Sequence, residues 1–207
     1  MRFRVVSWNV DSRPTGSFDA KLDLLHELEP DIALLRELRR PVYRGFLPHA
    51  QAYERLHGRP RLFAWGVLST DVTDPPAADR RAGSAVLGGA TTTRVETIPL
   101  GPKAVAVRIA LGGAVAVTVG SAQSRRTDDG SSRDPDLGAW VAGQAGPVVL
   151  ATDPRPAGGV HPARRDHLLV TPDIHVHNVE YLEKEALATG SDYALIVAEL
   201  EWNEATL

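Results

Sequence analysis

The sequence predicts a mixed α/β fold, and three patterns in the chain lead to that prediction. A strand, a helix and a second strand open the chain, and alternating β-branched residues fill its middle. Several short apolar runs also end on a polar residue. A helical crossover makes the two strands it joins parallel, whereas consecutive strands joined by tight turns are antiparallel. The sheets are therefore expected to contain both kinds of pairing.

The first unit is readable from hydrophobic spacing. Residues 2–8 alternate as a strand, with Phe3 and Val5 on one face. Leucines at helical spacing then lead up to Pro30, which ends the predicted helix. The four apolar residues after Asp31 predict a short buried strand over 31–37. The crossover helix is expected to lay this strand beside the first.

The remaining elements follow from period-two patterns and turn residues. Further strands are predicted over 62–68, 83–87, 92–96, 104–109, 115–119, 147–153, 168–170, 174–179 and 194–200, with helices over 47–56 and 134–144. The stretch 124–136, rich in serine and charged residues, predicts a surface loop. The consecutive strands from 92 to 119 predict antiparallel pairing.

Three of the apolar runs end on an oxygen-bearing side chain, namely Asn9, Glu37 and Asp153. Binding and catalytic sites of layered α/β proteins are assembled at the ends of strands. Carboxylate and amide oxygens are also the ligands that Mg²⁺ prefers. Asn9 and Asp153 have the plainer alternative of turn-forming residues, since both types favour turns.

Composition narrows the class of protein. With 207 residues, 43% of them hydrophobic, the chain predicts a single domain over 1–207 with a substantial core. The absence of cysteine excludes disulfides, thiolate zinc sites and cysteine nucleophiles. A net charge of -3 argues against non-specific coating of nucleic acid. The start of the chain has no signal-peptide pattern and no run suits a membrane helix, so a cytoplasmic protein without a membrane partner is expected.

The order of seven short motifs resembles the endonuclease/exonuclease/phosphatase superfamily, whose fold is DNase I-like. The motifs are Ser7-Trp8-Asn9-Val10, Pro30-Asp31 to Arg36-Glu37-Leu38, Gly83-Ser84-Ala85-Val86-Leu87, Val119-Gly120-Ser121-Ala122-Gln123, Leu150-Ala151-Thr152-Asp153, Arg165-Asp166-His167 and Ser191-Asp192-Tyr193. Each motif is weak alone, but their order and spacing are hard to obtain by chance. The resemblance implies a four-layer α/β/β/α sandwich in which two mixed, mostly antiparallel sheets pack face to face.

The resemblance also implies a site and a chemistry. Glu37 is expected to be the main ligand of Mg²⁺ or Mn²⁺, with Asn9 beside it and Asp192 in the same site. Asp153 would orient or activate water, and Asp166 would be the carboxylate that pairs with a catalytic histidine. The implied reaction is in-line attack of water on a phosphoester, possible substrates being nucleic acids and small phosphorylated compounds.

Three positions depart from the family pattern. Tyr193 stands where the family has a histidine, Gln123 replaces a phosphate-contacting histidine, and Arg155 replaces an asparagine. A phenol with a reference pKa of about 10 is a poor general base at neutral pH. Arg155 either competes with a divalent cation, leaving metal binding weak or absent, or contacts substrate phosphate itself.

Two functions therefore stay open at this point. The first is a divalent-metal phosphoester hydrolase, a nuclease or phosphatase, with reduced or redirected activity. The alternative is a catalytically inactive relative that binds a phosphorylated ligand or a protein partner through the same cleft. A zinc site at His175 and His177, which share one face of a strand, is a weaker hypothesis because no third ligand is evident.

Overall fold

The structure of the protein, a computed structural model, describes most of the chain. The described residues are 1–10, 18–39, 50–59, 62–68, 82–89, 91–101, 104–113, 115–123, 137–153, 167–191 and 193–202. The predicted loop 124–136 lies outside them.

The described residues form eleven strands and four helices. The strands are β1 (Arg2–Asn9), β2 (Ile32–Arg39), β3 (Trp65–Leu68), β4 (Ala82–Gly88), β5 (Thr92–Gly101), β6 (Ala104–Leu111), β7 (Val115–Gln123), β8 (Val148–Asp153), β9 (His167–Val170), β10 (Ile174–Leu182) and β11 (Leu195–Trp202). The helices are α1 (Phe18–Leu28), α2 (50–56), α3 (Leu137–Ala142) and α4 (Glu183–Ala188).

The strands form two sheets. One has six strands in the order β10-β11-β1-β2-β4-β3, and the other has five in the order β5-β6-β7-β8-β9. The pairs β1–β2 and β7–β8 are parallel. Every other pair in the two sheets is antiparallel. This confirms the prediction of mixed, mostly antiparallel sheets.

The two sheets pack face to face around a shared hydrophobic core. Phe3, Val5 and Leu34 enter this core from the six-stranded sheet, and Val107 and Val119 enter it from the other. Because successive side chains of a strand point to opposite faces, the alternate residues are left for the outer layers.

Helices cover both outer faces. Residues of α1, α2 and α4 pack with the outer face of the six-stranded sheet, where Val6, Trp8 and Leu35 are buried. Helix α3 packs with the outer face of the five-stranded sheet through Val141. The four-layer α/β/β/α sandwich is therefore confirmed.

Several predicted boundaries were wrong by a few residues. The strand predicted over 62–68 begins only at Trp65, because the Leu62 N–H is bound by the Glu54 carboxylate at 2.7 Å and not by a neighbouring strand. The helix predicted over 134–144 ends at Ala142, where Gly143 continues as a turn. Helix α4 was missed because its only buried residue is Ala186, which leaves no apolar stripe in the sequence.

No helix in the described ranges is long and apolar enough to cross a membrane.

Candidate functional site

The carboxyl ends of four strands meet at one edge of the sandwich. Strands β1 and β2 run parallel, with Asn9 opposite Arg36, and β7 and β8 run parallel, with Gln123 opposite Asp153. The Ser121 hydroxyl on β7 donates a hydrogen bond to the carbonyl of Leu35 on β2, at 3.1 Å, and so joins the two sheets beside these ends. We call the edge formed by Asn9, Glu37, Gln123 and Asp153 the polar edge.

A buried serine fixes the start of β11 to the same edge. The Ser191 hydroxyl donates to the carbonyl of Asn9 at 2.9 Å and accepts from the indole Nε1 of Trp8 at 3.2 Å. The Tyr193 N–H also reaches this hydroxyl, at 3.3 Å. Since Ser191 has no exposed surface, these bonds are shielded from water. They hold the end of β1 against the segment that leads into β11.

Glu37 lies within β2 and not at its end, which corrects the sequence interpretation. Strand β2 continues to Arg39, and its pairing with β4 shifts register between Leu35 and Leu38. Glu37 has a left-handed backbone, with φ of 56°, and is half-buried. A bulge changes the direction of the side chains of a strand, so the Glu37 side chain does not follow the regular alternation of β2.

The surroundings of Asn9 are buried and carry two cationic side chains. Asn9 itself has no exposed surface. The Lys21 ammonium on α1 donates to the carbonyl of Val10 at 2.8 Å, and the Arg36 guanidinium on β2 donates to the hydroxyl of Ser7 at 3.1 Å. Both cations are buried, with 4% exposure for Lys21 and 0% for Arg36.

The structure brings together most of the predicted site residues that it describes. Asn9, Glu37 and Tyr193 are described with their side chains, whereas Gln123 and Asp153 are placed by their strands only. Three further predicted site residues, Arg155, Asp166 and Asp192, lie outside the described residues. The roles assigned to all eight stay predictions.

Tyr193 is buried, with 5% of its surface exposed. Its N–H and its carbonyl both face the Ser191 hydroxyl, each at 3.3 Å. A buried phenol is shielded from solvent as well as weakly basic at neutral pH. Both properties separate Tyr193 from an imidazole that titrates near ~6.5.

The donors at the polar edge fit a hard divalent cation only in part. Glu37 and Asn9 carry oxygen atoms of the kind that Mg²⁺ binds. Among the described side chains, however, no group of three or more His, Cys, Asp or Glu residues is arranged to hold a metal. Arg36, which precedes Glu37 in the sequence, is a buried cation whose guanidinium binds Ser7, two residues before Asn9 on β1, so a positive charge already lies beside this edge.

The two histidines on β10 lie on an exposed edge strand, far along the six-stranded sheet from β2. Their rings approach to 4.5 Å between centroids, and His177 Nε2 lies 2.6 Å from a carboxylate oxygen of Glu201. This carboxylate is a hydrogen-bond partner of His177, and no group of three or more His, Cys, Asp or Glu residues that could hold a metal is found among the described residues. The zinc hypothesis gains no support.

Sequence reasoning missed Arg36 and Lys21 as parts of this region. Alternation does place Arg36 on the same face as Ile32 and Leu34, which enter the core between the sheets. A single charged residue that continues an apolar face is therefore a usable signal. Lys21 gives no comparable signal, because its partner is a backbone carbonyl.

Comparison with known proteins gives matches to solved structures only, since no protein-family model and no curated protein matches the sequence. An endonuclease/exonuclease/phosphatase from Bacteroides vulgatus superposes with a TM-score of 0.68 and 11% identity, covering 98% of this chain and 100% of that one. The human Nocturnin catalytic domain with bound sulfate gives 0.67 and 13%, covering 98% and 95%.

A third structure is D. rerio TDP2 in complex with a single-strand DNA product. It gives a TM-score of 0.61 and 13% identity, covering 97% of this chain and 99% of that one. At these identities the likeness concerns the fold, and it extends over nearly the whole chain. The protein thus has the DNase I-like fold of the endonuclease/exonuclease/phosphatase structures, as the order of its motifs predicts.

Proposed function

We propose that the protein is an endonuclease/exonuclease/phosphatase family member that hydrolyses a phosphoester with a divalent metal at the polar edge. The observation that carries the proposal is the meeting of four strand ends, β1 and β2 from one sheet and β7 and β8 from the other. Neither sheet alone collects these polar residues. Only the face-to-face packing puts Asn9 and Glu37 near the strands that end at Gln123 and Asp153.

The solved structures with this fold support the class of ligand. One is a complex of D. rerio TDP2 with a single-strand DNA product, and another is human Nocturnin with a sulfate anion, which resembles a phosphate group in shape and charge. We infer a phosphoester or phosphorylated ligand for this chain, nucleic acid among the candidates. The chain's net charge of -3 favours a site that grips a few phosphates over an extended nucleic-acid surface.

Different residues of the chain would bind the metal, orient the water and contact the phosphate at this edge. Glu37 and Asn9 would hold a Mg²⁺ or Mn²⁺ ion together with Asp192, and Asp153 would orient the attacking water. Bound there, the metal would offset the negative charge that develops on the phosphate. Gln123 and Arg155 would contact the phosphate oxygens, Arg155 with two parallel N–H groups. Asp166 would be the carboxylate that pairs with the catalytic histidine of the family, whose place Tyr193 takes in this chain.

The activity is expected to be low. Losing a general acid or base typically costs roughly 10²–10⁴ in rate. Tyr193 is buried and its phenol is a weak base, so it replaces little of that loss. Positioning of the phosphate by the remaining side chains does not depend on a histidine and would persist.

A second candidate function is binding without hydrolysis, and the buried cations favour it. Arg36 and Lys21 bring positive charge to the end of β1 without any metal. A phosphorylated ligand is attracted by such charge even where no water is activated. On this alternative the polar edge is a phosphate-binding cleft inherited from an enzyme.

Hydrolysis assays separate the two functions. Bis-p-nitrophenyl phosphate, single-stranded DNA and double-stranded DNA would be incubated with the protein and Mg²⁺, Mn²⁺ or EDTA. The matched control is Glu37→Ala, with Glu180→Ala on the exposed strand β10 as a variant remote from the polar edge. We expect slow, metal-dependent turnover that Glu37→Ala abolishes and Glu180→Ala retains. Turnover that is equal in wild type and Glu37→Ala, or absent with every metal, would reject the hydrolase and leave the binding function.

A further inference from the structure

Arg36 is a fully buried cation, and its position beside the polar edge has a consequence for metal binding. Its side chain has 0% exposure and donates from Nη2 to the Ser7 hydroxyl at 3.1 Å. Ser7 continues the face of β1 on which Phe3 and Val5 enter the core between the sheets. A guanidinium keeps its charge at every pH at which proteins fold. A permanent positive charge therefore lies at the end of the inter-sheet core.

This charge is close to Asn9, one of the two proposed metal ligands, and Arg36 is the chain neighbour of the other, Glu37. Ser7 and Asn9 are two residues apart on one strand, so their side chains are separated by about 7 Å on the same face. The backbone of Arg36 lies opposite Asn9, and its carbonyl accepts a hydrogen bond from the Val10 N–H at 3.1 Å. Arg36 also directly precedes Glu37. The guanidinium, held at Ser7, thus lies about two residues along the strand, or about 7 Å, from the side-chain position of Asn9.

A second buried cation lies on the other side of β1. Lys21 is 4% exposed, and its ammonium donates to the carbonyl of Val10 at 2.8 Å. Trp8 and Val10 face the helices, whereas Ser7 and Asn9 face the second sheet. The end of β1 is therefore flanked by one cation in each layer. Buried charges are screened by salt far less than surface charges.

We propose that Arg36 sets the affinity of the polar edge for divalent cations and holds it low. The inference rests on the proposed function, because it takes Glu37 and Asn9 as the metal ligands. Arg36 is a positioning residue in this proposal, because its positive charge opposes a divalent cation at the edge. A divalent and a monovalent cation about 7 Å apart repel each other enough to weaken binding by roughly 10-fold to 1,000-fold, depending on how much water screens them.

The test compares two substitutions that differ in charge. Arg36→Gln removes the charge and keeps hydrogen-bonding capacity, whereas Arg36→Lys keeps the charge. The dissociation constant for Mn²⁺ would be measured by titration calorimetry, and independently from the rise in unfolding midpoint with added MnCl₂. We expect Arg36→Gln to bind Mn²⁺ at least about 10-fold more tightly than wild type. Arg36→Lys should stay close to wild type.

Two outcomes would overturn the inference. One is an equal Mn²⁺ affinity in wild type and Arg36→Gln. The other is an equal gain in both variants, which would assign the effect to altered packing and not to charge. If Arg36→Gln does not fold, wild type still decides: a low-micromolar Mn²⁺ dissociation constant that Glu37→Ala abolishes would contradict a site whose affinity is held low.

These experiments can reject the inference about metal affinity and the proposed hydrolase activity separately. A gain in Mn²⁺ affinity for Arg36→Gln that Glu37→Ala reverses, without any hydrolysis, would support this inference and reject the hydrolase. Hydrolysis that depends on Glu37, with no gain in affinity for Arg36→Gln, would support the hydrolase and reject this inference.

Discussion

The protein contains two strand-helix-strand units that face each other, and they differ in helix length and in the size of their hydrophobic clusters. In the first unit, β1-α1-β2, the helix has eleven residues and packs in a cluster of sixteen buried side chains. In the second, β7-α3-β8, the described helix has six residues, and its cluster holds five buried side chains among the residues that the structure describes. Both units end in a parallel strand pair at the polar edge.

The difference shows that the same topology can be held by different means. The first unit combines a large apolar cluster with buried hydrogen bonds through Ser191, Lys21 and Arg36. The second is attached to the first by the bond from Ser121 to Leu35 and by the core between the sheets. We therefore expect the first unit to contribute more to the stability of the edge than the second, and three experiments can test that expectation.

The largest effect on the free energy of unfolding is expected from alanine substitutions of two leucines, one in each helix, that face the sheets. Leu25 in α1 is 1% exposed, whereas Leu137 in α3 is half-buried. Replacing a fully buried leucine by alanine lowers the free energy of unfolding by about 2–5 kcal/mol. We expect a loss in that range for Leu25→Ala and about 1 kcal/mol for Leu137→Ala, because less area leaves water in the second case.

Urea unfolding of the two leucine variants beside wild type would measure these losses. The slope of free energy against urea should stay the same in all three, so that midpoints can be compared. Equal losses for the two variants would show that the second unit's small cluster is as well packed as the first.

A medium effect is expected for the two buried serines that tie strands together. The Ser191 hydroxyl contacts four polar groups, the carbonyl of Asn9, the indole of Trp8 and the N–H and carbonyl of Tyr193, whereas Ser121 has one described bond, to Leu35. Leaving a buried donor or acceptor unsatisfied costs about 1–3 kcal/mol. We therefore expect Ser191→Ala to lose about twice as much unfolding free energy as Ser121→Ala.

Thermal and urea unfolding of both serine variants would check the ratio, with Ser84→Ala as a further buried serine in the six-stranded sheet. A larger loss in Ser121→Ala would make the bond between the sheets, and not the tie to β11, the main support of the edge.

The smallest expected effect is on the pH dependence of stability, and it arises from His26 in α1. Burial is the main cause that lowers the pKa of His26, and Arg59 lowers it further, while Glu54, Asp23 and Glu29 oppose the shift. The folded protein therefore binds a proton on His26 less readily than the unfolded chain does. Stability from this residue is present above about pH 6.5 and is lost as the pH falls from there towards the lowered pKa.

Substituting His26→Gln should flatten this part of the stability profile. One titrating group changes the slope by at most ~1.4 kcal/mol per pH unit. Unfolding midpoints between about pH 5 and pH 8 would show it. Helix α3, Leu137–Ala142, has no titratable side chain, so it contributes no such slope. An unchanged profile in His26→Gln would show that the slope comes from other groups.

Much of the fold could be predicted from the sequence because its strands have clear local patterns. Buried runs such as Ile32–Leu35 and Val148–Ala151 are continuous and apolar, and each was placed within a residue or two. The order of polar residues after these runs also identified Asn9 as the last residue of β1 and Asp153 as the last of β8.

What could not be predicted depends on partners distant in the chain. The bulge at Glu37 arises from pairing with β4, about fifty residues later, so no local pattern reveals it. Similarly, the buried end of Arg36 depends on Ser7, on a neighbouring strand. The predicted roles of Arg155, Asp166 and Asp192 stay predictions, since these residues lie outside the described ranges.

The left-handed backbone of Glu37 has an evolutionary implication. The described residues hold one other non-glycine residue with positive φ, Glu29, which follows the end of α1, where such a conformation is common. Within a strand it costs about 1 kcal/mol or more for a residue with a β-carbon, and glycine would avoid that cost. A chain released from any need for a carboxylate would gain stability by drifting to glycine at this position. A glutamate in this strained position is what we expect if selection has kept its side chain.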